Sequence, residues 1–380
     1  VMEAYEYKNI VNIILTGCLP QRYMEEISGD NGLTEVSAFV GNQHYHRINE
    51  VIDRVKLGEK VILNNTKDGV IIPSVERVLT TPLHYGFLKI AEGCDNCCTY
   101  CAIPKIRGRY ISAPHNQLLE EVQKLIDNYG TRELILVAQD VTRYGSDRGG
   151  YELMKLLDGL EKLDLYKIRL MYCYPELVSR ELVDRIAAGG KIARYIDMPM
   201  QHIDDDILKK MNRKSREKEL RFLLEYIKSK DISVRSTFIL GFPTESERQF
   251  EALCNFIAEY KLDNAGFFAY SKEEGTAAYS MKGQIKQAEK KRRLRTISAI
   301  QSAIMTEQAD RQIGNTIKIT YDGIDYNKQC FFGHSEYNHP EIDKKAYFTA
   351  TAPIEIGMQY DIKITGRSKL DLKGYVEAKE

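Results

Sequence analysis

Apolar residues along the middle of the chain recur in two alternating rhythms. Short runs of consecutive β-formers at 87–91, 134–138, 168–172, 195–198, 234–240 and 265–270 are separated by stretches where apolar positions return every three or four residues. Leu118, Leu119, Val122, Leu125 and Ile126 make one such stripe. Leu153, Leu156, Leu157 and Leu160 make a second, and Phe250, Leu253, Phe256 and Ile257 a third. Strands alternating with amphipathic helices are the pattern of parallel βα units, in which helices cover the sheet. Six units over about 220 residues fall two short of a closed eight-strand barrel. The pattern therefore predicts an α/β open or partial (βα)6 barrel at 85–312, with its site at the C-terminal ends of the strands.

Both flanks change rhythm. Residues 1–7 read as the end of a helix and 11–15 as a strand running into Thr16-Gly17-Cys18. A strand at 36–40 and a helix at 46–55 follow, then an irregular connector over 60–84 containing Asn64-Asn65, Asp68-Gly69 and two prolines. A start this close to a glycine–cysteine turn predicts a partial N-terminal α/β unit, 1–75. Residues 286–311 read as one long helix bearing Lys290, Lys291, Arg292, Arg293 and Arg295, a solvated face that closes the barrel. After Gly314 the period becomes two, at Ile317 and Ile319, Tyr347 and Thr349, and Tyr360, Ile362 and Ile364. Turns are expected at Asp322-Gly323, Gly357 and Lys373-Gly374, giving a small antiparallel β-barrel over 314–380.

Composition adds exclusions. The 380 residues carry 54 Lys+Arg against 54 Asp+Glu, and 43% of positions are hydrophobic, which rules out wholesale disorder. A neutral total argues against a protein whose main task is neutralising phosphates. No apolar run approaches the length of a membrane span, and no secretory leader opens the chain. The eight cysteines decide more. Cys94, Cys97, Cys98 and Cys101 crowd into eight residues, while Cys18, Cys173, Cys254 and Cys330 are scattered. A disulfide framework spreads its cysteines, so a clump points to thiolate ligation in a reducing cytoplasm.

Cys94, Cys98 and Cys101 form C-x3-C-x2-C immediately after the first barrel strand. Three thiolates on one tight loop can hold three irons of a 4Fe–4S cluster and leave the fourth open. The alternative is zinc on Cys94, Cys97 and Cys101, or on all four. Against it, adjacent Cys97 and Cys98 reach one tetrahedral ion with difficulty, and no second C-x2-C pair is present. Gln139 and Asp140 sit just past a strand end, where either ligand binding or turn formation and capping would place them. His202 and Arg235 admit a hydrogen-bonded structural role as readily as a functional one. Met198 and Met200 read as core, and Cys173, Cys254 and Cys330 as small buried hydrophobes.

C-x3-C-x-Tyr-C at the end of the first strand of a six-unit partial barrel resembles the radical S-adenosylmethionine superfamily. Further motifs resemble its methylthiotransferases: Gly17-Cys18 with Gln21-Arg22-Tyr23, Ile103-Pro104 with Arg107-Gly108, and Asp197, Pro199, Gln201 and His202. Gly241-Phe242-Pro243 with Glu245, and Tyr270-Ser271 with Glu274-Gly275-Thr276, continue the match. The resemblance implies a cluster on Cys94, Cys98 and Cys101, and S-adenosylmethionine on its open iron with Tyr100 near the adenine. It implies a C-terminal barrel of the TRAM type, while Gln139, Asp140 and Arg235 stand as cofactor-contact candidates from their place at or near the barrel strands. It also implies a second 4Fe–4S cluster on three N-terminal cysteines, of which only Cys18 lies in this chain. Thr244 departs from a glycine common in the Gly-Phe-Pro-Gly-Glu motif, and Ala138-Gln139-Asp140 replaces the Gly-Gly-Glu of many radical enzymes.

Substrate is read from charge and motif together. From Gly314 onward nine Lys+Arg face ten Asp+Glu, a net charge of −1, which suits a basic ribosomal protein better than tRNA. Tyr144-Gly145 with Asp147, Gly333-His334, and Tyr337 with Pro340-Glu341-Ile342-Asp343 resemble the RimO-like branch, which modifies an aspartate β-carbon of a small-subunit ribosomal protein. Glu336, Glu341 and Asp343 are expected to meet that partner at the barrel rim. An electron donor such as flavodoxin or ferredoxin is implied. The alternatives are a tRNA adenosine methylthiotransferase and a truncated binding form that does not turn over.

Overall fold

The computed structural model describes residues 10–64 and 77–377. The helix expected at 1–7 lies outside them, as does 65–76 of the connector.

Six parallel strands form the central sheet: Tyr85–Lys89, Glu133–Val137, Lys167–Leu170, Ile192–Asp197, Ser233–Leu240 and Asn264–Ala269. They pair in sequence order, and the first and sixth do not pair with each other, so the barrel is open along one side. Its helices bury the stripes read from sequence. Helix His115–Tyr129 buries Leu118, Val122, Leu125 and Ile126, while Leu153–Leu160 buries Leu153, Leu156, Leu157 and Leu160. With Phe250, Leu253, Phe256 and Ile257 they join the main core. Facing the other way, Tyr85, Ile135, Met171, Ala193 and Tyr195 fill the barrel interior.

The long helix is Gln287–Arg311. It departs from the solvated face expected of it, because Lys290 and Arg293 are buried beside Ile297, Gln301 and Ile304. The Lys290 ammonium donates to the Tyr270 carbonyl at 2.7 Å, and Arg293 donates to the Glu245 carbonyl at 3.1 Å. Both cations tie down loops that follow barrel strands.

The N-terminal unit is a three-stranded parallel sheet, Ile14–Gly17, Ala38–Gly41 and Val61–Leu63, with helices Cys18–Ser28 and Ile48–Lys56. The third strand falls inside the expected connector. Val61 packs with Ala38, Val40, Val51 and Val55, which overrides the turn signals around it.

The C-terminal unit is a closed five-strand barrel: Thr316–Asp325, Cys330–His334, Ala346–Thr349, Asp371–Val376 and Gln359–Ser368, in that order around it. Every pair is antiparallel except Ala346–Thr349 with Asp371–Val376, which run parallel. Asp322-Gly323 is a bulge within a strand rather than a turn, and Lys373-Gly374 lies mid-strand. Glycine is needed at 333 because strands cross closely there: a Cβ would stand 2.0 Å from the Thr320 carbonyl oxygen.

Segment 335–343 of this barrel fills the strand-start end of the central one. Glu336 pairs with Lys167 at 2.9 Å, Tyr85 donates to Glu341 at 3.0 Å, and Arg235 donates to Asp343 at 2.6 Å. Buried Arg169 reaches Glu133 at 2.9 Å, Glu133 meets His334 at 2.8 Å, and His334 meets Asp322 at 2.8 Å. Of the acids expected to greet a partner at the rim, Asp343 is therefore spent inside the molecule, while Glu336 and Glu341 hold Lys167 and Tyr85 and keep exposed surface. Net charge counted over the barrel sequence does not reveal this, since it does not say which carboxylates face inward.

Candidate active site

The cysteine loop follows the first barrel strand, at the end opposite segment 335–343. Gly93 opens it at φ +74, and a Cβ there would stand 2.0 Å from the Arg109 carbonyl oxygen, so glycine lets the chain double back. The Cys94 N–H donates to the Gly108 carbonyl at 3.1 Å. Cys94 and Cys98 are buried, Cys101 is half-buried, and Cys97 is exposed at φ +50.

The thiols sense one another. Burial pushes Cys94 up to about 11; a hydrogen bond from the Asn96 backbone opposes this, and the neighbouring Cys98, Asp140 and Cys101 add to it. Burial also raises Cys101, relieved by the Ile103 N–H at 3.4 Å and reinforced by Cys98. Thiols crowded this way keep their protons until a cation takes over the neutralising role, as iron does. Among the described residues no three His, Cys, Asp or Glu side chains converge as a single metal ion requires. In a four-iron cluster each thiolate takes a different iron, so the three need not share one point. The donor set fits the cluster.

Around the loop stand groups with unfilled hydrogen-bonding capacity. The Tyr174 hydroxyl lies 3.3 Å from the Cys98 sulfur, and the Arg213 guanidinium stacks 4.0 Å from the Tyr174 ring centroid. Arg213 is 3% exposed; its Nη2 donates to the Pro199 carbonyl at 3.0 Å, its Nε lies 3.4 Å from the Glu176 carboxylate, and Nη1 has no hydrogen-bond partner. The Gln139 Oε1 is likewise buried without a partner. Asp140 is fully buried. It accepts from Asn96 at 3.0 Å and from the Thr142 hydroxyl, and burial raises its carboxyl. Tyr100 packs against an apolar cluster containing Met211, Phe242 and Tyr270.

Residues 88–257 match the family model of the Radical SAM superfamily. The ribosomal protein uS12 methylthiotransferase RimO of Clostridium acetobutylicum is 39% identical over 386 residues, covering 99% of this chain and 85% of that protein. The proteins of the same name from Clostridium tetani and Clostridium kluyveri are 40% and 38% identical, each covering 99% of this chain and 84% and 85% of their own lengths. The chain belongs to this RimO methylthiotransferase family. Membership brings an iron–sulfur cluster and S-adenosylmethionine with it.

The remaining candidates divide by place. Cys18 begins helix Cys18–Ser28 and is exposed, with its sulfur 3.7 Å from Nη2 of Arg107, six residues past Cys101. The N-terminal unit of this RimO-family chain thus abuts the cysteine loop. Arg235 does not reach that loop. It is the third residue of its strand and is held by Asp343 at the opposite end of the barrel, with Asp197 3.7 Å away. Buried His202 accepts the Asp204 N–H on Nδ1, and its Nε2 lies 3.7 Å from Glu245. Asp147 accepts from the Ser112 N–H at 3.1 Å and Tyr144 donates to the Ala113 carbonyl at 2.8 Å, so that motif pins a loop. Sequence reasoning missed Tyr174, four residues past the strand that ends at Leu170, and Arg213, three residues past the helix that ends at Lys210, because neither carries a spacing signal. A buried arginine stacked on the tyrosine that reaches Cys98 becomes visible only in three dimensions.

Proposed function

We propose that this chain adds a methylthio group to the β-carbon of an aspartate in ribosomal protein uS12, within a reducing cytoplasm. Its units at 1–75, 85–312 and 314–380 would serve sulfur supply, radical generation and docking. When bound on Cys94, Cys98 and Cys101, the cluster with S-adenosylmethionine would supply a 5′-deoxyadenosyl radical that removes a substrate hydrogen. The chain's own groups do the rest. The free Nη1 donor of Arg213 receives the carboxylate of the methionine moiety, a charge-assisted contact in a dry setting. Tyr100 and Met211 offer the adenine an apolar wall. Asn96 and Asp140 lock the loop so that the thiolates keep their spacing. Cys18 would hold one iron of a second cluster beside the first.

The observation that carries this function is the buried arginine with an unused donor, stacked on the tyrosine whose hydroxyl meets buried Cys98. Anaerobically reconstituted protein, given dithionite and S-adenosylmethionine, is expected to release 5′-deoxyadenosine. With a sulfur source, the uS12 protein should gain the mass of one methylthio group. No 5′-deoxyadenosine from a sample holding about four irons per chain would sink the proposal.

A further inference from the structure

The stretch of loop separating the buried thiol of Cys98 from solvent is Asp95-Asn96-Cys97, and each of its residues is held by a different element. Arg109 lies 3.8 Å from the Asp95 carboxylate. Arg143 donates to the Asn96 side-chain oxygen at 2.6 Å. Asn212 donates to the Cys97 carbonyl at 3.0 Å and to the Asn96 carbonyl at 3.3 Å. One turn away, the Thr99 N–H and hydroxyl bind the carbonyls of Met211 and Lys210 at 3.1 and 2.8 Å.

These contacts bring Lys209, Lys210 and Lys214, all exposed, to the same rim as Arg109, whose side chain is 79% exposed. Helix Asp205–Lys210 sorts its charges: the exposed acids Asp205 and Asp206 begin it, and the lysines end it against the cysteine loop. The acid within the patch, Asp95, already faces Arg109. A solvated lysine face usually does nothing specific. Here the cations flank the loop on which exposed Cys97 directly precedes a buried cluster ligand.

Building on Cys94, Cys98 and Cys101 as cluster ligands, we propose that Arg109, Lys209, Lys210 and Lys214 form the docking surface for an acidic one-electron carrier protein. Opposite charge steers such a carrier and raises its encounter rate without needing a large interface. The step moves one electron and no atoms: the carrier is oxidised by one electron and the iron–sulfur group is reduced by one.

The test uses the whole reconstituted protein and two reductants. Lys209→Glu and Lys214→Glu, singly and together, reverse charge without touching the cysteine loop's own side chains. With reduced flavodoxin at low ionic strength, 5′-deoxyadenosine formation should fall about tenfold in the variants, and added salt should erase the difference. With dithionite, which needs no docking, variants and parent should match. Equal rates with flavodoxin would overturn the docking surface. So would variants that keep the flavodoxin rate but lose uS12 modification under dithionite, which would assign the patch to the ribosomal substrate or its RNA. No product with dithionite in the parent would instead overturn the cluster assignment beneath it.

Discussion

Thr244 stands at φ +71, in the left-handed region that β-branched residues avoid. It occupies the motif position where glycine is common, and its hydroxyl accepts from exposed Lys210 at 2.6 Å. Glycine there should relieve strain worth about 1–2 kcal/mol, less the entropy it adds to the unfolded chain. Thr244→Gly is accordingly expected to stabilise by about 0.5–1 kcal/mol, read as a rise in melting temperature. Among the cysteines, Cys94→Ala, Cys98→Ala and Cys101→Ala should each lower the iron retained after anaerobic reconstitution, while Cys97→Ala should leave it unchanged. Iron loss from the Cys97 variant with retention in the Cys98 variant would reverse the assignment. The spacing of these ligands was legible in sequence because all lie on one short loop. Arg213 was not, because its value lies in what it lacks: a partner for one buried donor, a property of packing. Arg235 misled for the converse reason, since a position on a barrel strand does not tell which end its side chain serves.

At the scale of elements, segment 335–343 and the strands it enters share a charged core whose pH response can be worked out. Burial opposes a proton on His334, but Glu133 and Asp322 overcome it and raise His334 to about 9. Its contribution is full below 6.5 and is lost as pH climbs through about 9. Burial, helped by Arg169, lowers His339 to about 3. The unfolded chain therefore takes up that proton first as pH falls below 6.5, and stability drops toward about 3. Glu133 is held below the usual carboxylate range by His334 and Arg169 against the cost of burial, and adds to the acid loss. Melting temperature should peak near pH 6.5, and a monotonic profile across pH 4–9 would contradict this pairing. Asp343→Ala should cost about 2–3 kcal/mol, because it leaves the half-buried Arg235 guanidinium with Asp197, 3.7 Å away, as its remaining partner. Strand and helix identity followed from periodicity throughout the central sheet, where local pattern and tertiary burial agree. The motif around Tyr337 to Asp343 was equally visible, yet its task was not, because docking between two units leaves no periodic mark.

Across the whole molecule, the N-terminal unit clasps the site end of the barrel. Arg22 pairs with Glu273 at 2.9 Å and donates to the Glu274 carbonyl at 2.7 Å, while Lys105 donates to the Gly275 carbonyl. Arg107 bridges Glu92 at 2.7 Å and the Cys18 sulfur. If this clasp serves sulfur transfer rather than radical generation, Arg22→Ala should lower methylthio transfer several-fold and leave reductant-driven 5′-deoxyadenosine release near the parent level. Parallel loss of both would show that the clasp supports the radical site itself. At the barrel's other end, segment 335–343 closes the floor, while the side between the first and sixth strands stays unpaired. A polypeptide cannot be threaded along the axis. Whatever is modified must be offered at the open end or the open side and withdrawn the same way, which favours a protruding loop on a folded protein over an extended strand passed end to end.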